Sequence, residues 1–121
     1  MVGKVNIPEK LASFSDQWAP RIVARYNDNE VRLVKVEGEF IWHQHPDTDE
    51  LFLVLHGRLT IRLDDRDVVL GPGELFVVPR GVYHAPQADE LTSIVLIEPT
   101  GTVNTGDLTD SEFTREVQSL S

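Results

Sequence analysis

Four side chains that can hold a metal ion stand at fixed distances from glycines and a proline in the middle of this chain. That spacing constrains the fold more than any other feature. The order is Gly38, four residues, His43, one residue, His45, four residues, Glu50, six residues, Gly57. After fifteen more residues come Gly73, five residues, Pro79, one residue, Gly81, two residues and His84. Three of the four histidines of the chain lie in this pattern.

His43 and His45 follow the apolar run Phe40, Ile41 and Trp42, which suits a strand, so both imidazoles are expected to leave the same face. Two imidazoles on one face can converge on one ion. Glu50 opens the run Leu51 to Leu55 and shares a face with Phe52 and Val54. A carboxylate there needs a partner, because an isolated buried charge is costly. His84 follows the turn at Pro79, Arg80 and Gly81 and supplies a third nitrogen if the sheet closes on itself. Three imidazoles and a carboxylate suit one divalent transition metal (iron, manganese, zinc, nickel or copper) rather than calcium or magnesium. Imidazole ligands must be deprotonated, so affinity is expected to weaken as pH falls through the histidine range at about 6.5.

The two blocks resemble the paired motifs of the cupin superfamily. With the stretches from Trp18 to Ala24 and from Glu98 to Gly106, they resemble short bacterial single-domain cupins in particular. The resemblance implies an all-β fold, a double-stranded β-helix or jelly-roll barrel, with His43, His45, Glu50 and His84 as the metal ligands. Such chains are often labelled phosphomannose-isomerase-like, which describes a fold and does not fix a function. Two positions depart from the pattern: Gly38 is one residue closer to His43 than usual, and Ala88 stands where asparagine is common. Both are peripheral to coordination.

At 121 residues the chain is long enough for one domain with a buried core. The expected layout is a single cupin domain with its core over about 20–100, an N-terminal arm over 1–19 and a tail over 101–121. A formal charge of -9 with no Lys/Arg tract argues against a nucleic-acid partner. The lack of cysteine removes disulfides and thiolate chemistry. The first eight residues lack the apolar core of a signal peptide, and no run reaches membrane-span length. A cytoplasmic location without a membrane partner is expected.

Strands are expected over 21–26, 31–36, 58–63, 68–70, 75–78 and 91–97, with Leu59, Ile61 and Leu63 turned inward. A short helix is expected from Pro8 to Phe14, as a packing arm, and the segment from Thr109 is expected to form a short docking helix or to fray. As a helix it would place Phe113, Val117 and Leu120 on one face.

Around the ion the inward positions Ile41, Phe52, Val54, Leu59, Ile61 and Leu63 are apolar, and the pattern places no second carboxylate or lysine there. Chemistry carried by the metal itself is therefore favoured: binding a small chelating substrate, with Lewis-acid or redox activation. Sugar-phosphate isomerisation would want cationic phosphate contacts and a proton-shuttling base, for which Lys35 and Arg80 are the nearest cations. Tyr83 is a candidate acid or base if a turn carries its phenol to the barrel mouth; otherwise it packs on the outer sheet. Gln44 is expected to point away from the ion, Asp47 and Asp49 to be solvated, Trp42 to lie in the core or a dimer contact, and His56 to be structural or solvated. The leading reading is a metal-dependent dioxygenase, lyase or isomerase acting on a small oxygenated molecule. The alternative is a non-catalytic ligand-binding or sensing module with the metal as anchor.

Leu51 to Leu55 and Ile94 to Ile97 are apolar on both strand faces, so something must cover the outer face. A homodimer is expected, with light scattering at micromolar concentration giving twice the chain mass. Elution as a monomer would contradict it.

Overall fold

In the computed structural model, which describes residues 3–108 and 111–120, alternating apolar and polar residues build a barrel of β-strands. The strands are β1 (Arg21–Tyr26), β2 (Asn29–Glu39), β3 (Glu50–His56), β4 (Leu59–Arg62), β5 (Asp67–Leu70), β6 (Leu75–Val78), β7 (Ala85–Pro99) and β8 (Gln118–Ser119). One helix, α1 (Ile7–Ala12), precedes them. Among the described residues no helix is long and apolar enough to cross a membrane.

Strand β7 closes the barrel. It pairs along β2 on one side, while on the other it meets β4 first (Ile61 opposite Pro86) and then β3 (Val54 opposite Ile94). It begins six residues before the expected Leu91, because backbone pairing with β2 and β4 overrides a polar stretch containing Pro86, Asp89 and Glu90. Proline cannot donate, yet the Pro86 carbonyl still accepts from the Phe40 N–H at 2.9 Å.

The inward faces meet as one apolar cluster that includes Val36, Phe52, Val54, Leu59, Ile61 and Ile94, all buried. Leu63 packs against it from a half-buried position, and Ile41 is also only half-buried. Side-chain rows run across β2, β7 and β3. Val34, Ile94 and Val54 form one, and Arg32, Leu96 and Phe52 the next. Glu30 lies opposite Glu98, and one step beyond the Leu51–Ile97 pair the same register sets Glu50 beside Glu98. The interior thus passes from apolar to charged within three rows.

The outer face of β1, β2 and β7 is covered by the chain itself. Asn6 caps α1 by accepting from the Glu9 N–H at 3.0 Å, and Pro8 sits in the first turn, where its missing N–H costs nothing. The helix delivers Ile7, Leu11 and Phe14 onto Val23, Leu33 and Val95. The Arg21 guanidinium and the Lys35 ammonium each lie 5.0 Å from the Phe14 ring centre. This arm covers part of the surface from which a homodimer was expected; Leu75 and Val77 on β6 stay exposed.

The tail departs from expectation. Positions 109 and 110 of the anticipated helix lie outside the described residues, and 111–120 form a turn, an extended run and β8, which pairs parallel to β1. Phe113 packs on Phe40 with ring centres 5.0 Å apart, whereas Leu120 joins the outer cluster. These side chains serve opposite sides of the barrel, and the free edge of β1 offers hydrogen bonds that an isolated short helix lacks.

Replacing Phe14 with alanine removes the anchor of the arm and is expected to cost about 3 kcal/mol in denaturant unfolding. An unchanged midpoint would show that the arm is not packed.

Candidate metal centre

Backbone pairing brings the two motif blocks together. His43 and His84 form an isolated antiparallel bridge, with N–H to carbonyl distances of 3.0 and 2.9 Å. The Gly81 N–H donates to the His45 carbonyl at 2.9 Å, and the Asp49 carboxylate accepts from the Arg80 N–H at 2.9 Å. Strand β2 ends at Glu39, so the histidines sit in an irregular segment held by the second block rather than in the expected strand.

His43, His45, Glu50 and His84 are nonetheless all buried, and one potential ligand atom from each lies within 4.8 Å of the others. The hydrogen bonds around the rings show what they suit. His43 Nδ1 lies 2.9 Å from the Ile41 carbonyl and His84 Nδ1 lies 2.9 Å from the Val82 carbonyl. A carbonyl only accepts, so each Nδ1 carries the proton and each Nε2 keeps a lone pair for the interior. Glu50 Oε1 lies 3.2 Å from His84 Nε2 and 3.1 Å from His45 Nε2, and among the described residues His45 Nε2 has no hydrogen-bond partner. Acceptors packed this closely need a cation between them. Ligands about 2.1 Å from one ion at right angles are about 3.0 Å apart, so the donor set and its spacing fit a divalent transition metal.

Sequence reasoning missed Glu98, which corrects the expectation that no second carboxylate approaches the site. It lies just past the expected strand 91–97, next to Pro99, and is 1% exposed. Glu98 Oε1 accepts from Arg32 Nη1 at 3.1 Å; the fully buried Arg32 also donates to Glu30 Oε1 at 2.7 Å and to the Thr102 carbonyl at 3.0 Å. Among the described residues Glu98 Oε2 meets no donor, and the register places Glu98 beside Glu50. The usable signal was register: Glu98 is inward if Leu96 is.

A narrow cavity runs from His43 and Glu50 between Trp18, Phe40, Phe52 and Leu96. Trp18, also unassigned from sequence, stacks on Phe40 with ring centres 4.7 Å apart, and Phe40 meets His43 edge-on at 5.3 Å. The tail lies against the histidine segment: the Asp107 N–H donates to the Gln44 carbonyl and the Gln44 N–H to the Asp107 carboxylate, at 2.9 and 3.0 Å. Gly106 has a φ of +59°, and a Cβ there would run into the Gln44 carbonyl.

Of the other anticipated residues, Tyr83 is 46% exposed, with its hydroxyl 3.4 Å from both Asp107 and Gln44. Its hydroxyl therefore engages the tail. Trp42 is not in the core; it is 43% exposed beneath the Arg62 guanidinium. His56 is exposed, because a bulge between Val54 and His56 breaks the parity that would turn it inward. Asp47 and Asp49 are both exposed as expected, and Asp49 also pairs with Arg80. Lys35 donates to the Phe14 carbonyl at 2.6 Å on the outer side.

The cupin domain model matches residues 30–98, and the chain belongs to the cupin family. It is 37% identical over 94 residues, 77% of each chain, to the uncharacterized protein YdbB of Bacillus subtilis (strain 168). A cupin-2 domain protein from Shewanella frigidimarina NCIMB 400 shares 47% identity over 78% of this chain and 93% of its own, with a TM-score of 0.78. Protein NMB1881 from Neisseria meningitidis shares 30% identity over 81% of this chain and 100% of its own, with a TM-score of 0.74.

Burial, helped by neighbouring His84 and opposed by Glu50, lowers the His43 imidazole to about 4. Burial alone would raise Glu50, but the His45 and His84 rings beside it outweigh burial and hold the carboxyl well below the usual range. Glu98 is pushed well above that range by burial and by the Glu50 charge, against the pull of Arg32. The linkage signs differ. His43 stays neutral in the fold while the unfolded chain takes up a proton, so its contribution falls as pH drops from about 6.5 to about 4. Glu98 keeps its proton in the fold, so its contribution falls as pH rises above about 4.5. A residue-specific readout separates them: in metal-free protein the His43 ring is expected to titrate near pH 4 by NMR. A midpoint near the ordinary value of about 6.5 would contradict the buried, neutral imidazole.

Proposed function

We propose that this cupin is a metal-dependent enzyme acting on a small oxygenated molecule. The observation that carries the reading is the buried convergence of three imidazole nitrogens and one carboxylate oxygen beside an apolar cavity. His43, His45, Glu50 and His84 would hold the ion, leaving positions for substrate oxygens. The ion, when bound, supplies Lewis acidity or, if redox-active, access to dioxygen chemistry.

The chain's own residues supply the rest. The Ile41 and Val82 carbonyls aim the His43 and His84 lone pairs inward. Trp18, Phe40, Phe52 and Leu96 exclude water and offer an apolar bed to the part of the substrate that does not chelate. Such walls favour a compact molecule with two adjacent oxygens and an apolar remainder. Sugar phosphates suit the site poorly, because Lys35 is tied to Phe14 and Arg80 to Asp49.

Protein purified without chelators is expected to contain about one divalent transition metal per chain, lost in His45→Ala. It is also expected to turn over a member of a panel of diketones, flavonols and hydroxy acids in a metal-dependent way. Metal-loaded protein that is inert across the panel, yet stabilised by an unaltered ligand in proportion to its concentration, would replace the enzyme with a binding module. Absence of metal even after reconstitution would overturn both.

A further inference from the structure

We propose that Glu98 is a positioning residue of the metal centre, fixing the Glu50 carboxylate while Arg32 fixes Glu98. This rests on the metal-site reading above and assigns a role to a residue outside the four ligands. Three observations carry it.

The first is register. Leu51 lies opposite Ile97 and Glu30 opposite Glu98, which aligns Glu30, Glu98 and Glu50 across β2, β7 and β3 with their side chains buried. Directly opposed side chains on adjacent strands are within contact distance. The second is anchoring. Arg32 is fully buried and spends its donors on Glu30 Oε1, Glu98 Oε1 and the Thr102 carbonyl, so one Glu98 oxygen is held from below. The third is the other oxygen. Among the described residues Glu98 Oε2 is buried and meets no donor, on the strand position next to Glu50. A buried polar atom without a partner is costly unless the arrangement is put to use.

Glu50 needs such a support. Its Oε1 takes both imidazole contacts, His45 at 3.1 Å and His84 at 3.2 Å, so a small rotation of the carboxylate would spoil both at once. Two buried carboxyl groups side by side are accommodated by one hydrogen between them, and an amide at position 98 offers the same contact to Glu50 while its carbonyl oxygen accepts from Arg32. An aliphatic side chain can do neither. Groups that orient ligands typically change metal affinity by about 10–100-fold when removed.

The test is a double-mutant cycle on Co2+ affinity, read with the visible Co2+ spectrum as a report of ligand geometry. Glu98→Leu is expected to weaken binding by about 10–100-fold and to alter the spectrum, while Glu98→Gln stays within about threefold of wild type. In a Glu50→Gln background, Glu98→Leu is expected to cost little more, because its effect passes through Glu50. Equal losses in both backgrounds, or no loss in either, would overturn the role. If Glu98→Leu does not fold with Arg32 left unpaired, Glu98→Asp replaces it in the cycle. The shorter side chain keeps a carboxylate for Arg32 but withdraws from Glu50, and the same non-additive loss is expected. Wild-type protein that binds no Co2+ would overturn the metal-site reading and this role together; wild-type binding without coupling would overturn the role alone.

Discussion

Two imidazole nitrogens and a carboxylate oxygen crowded together in a buried place, with the Nε2 of His84 and the Oε1 of Glu50 both acceptors, are the constraint on which the rest of the structure depends. Such a cluster is repulsive by itself and becomes favourable around a cation, so the fold must hold it together before the ion arrives. The backbone bridge between His43 and His84 and the Asp49 clasp on Arg80 do this. They tie two segments far apart in sequence without spending any ligand atom on structure.

The barrel around the cluster is arranged by row. Val34, Ile94 and Val54 make a dry floor, and one row on, Arg32 stands among Leu96 and Phe52. Beyond it lies the carboxylate row of Glu30, Glu98 and Glu50. A buried Arg with two buried glutamates adds little net stability after desolvation. Its value lies in geometry, since it holds Glu30 and Glu98 at fixed positions in that row. On the opposite surface the N-terminal arm plays an independent part, sealing β1, β2 and β7 with Phe14 and Leu11.

The buried cluster of His43, His45, Glu50 and His84 was legible in the sequence because three histidines, a glutamate and their flanking glycines and proline agree on one geometry. Strands β3 and β6 were legible from short apolar runs, β4 from alternation, and the arm from Pro8, Leu11 and Phe14. The first half of β7 was not, since its pairing is decided by β2 and β4 rather than by its own side chains. Glu98 was hidden for a related reason: its place inside depends on Arg32, sixty-six positions away in the sequence. The Thr109 capping pattern pointed to a helix, but over 111–120 tertiary partners for Phe113 and Leu120 lie on different sides of the barrel, and local propensity yields to them.

Anomalous diffraction from crystals of the metal-loaded protein, collected at the absorption edge of the bound metal, tests the central claim most directly. The account predicts one strong peak per chain, about 2.0–2.2 Å from Nε2 of His43, His45 and His84 and from a Glu50 carboxylate oxygen. A peak elsewhere, or none at this cluster in fully loaded protein, would contradict it.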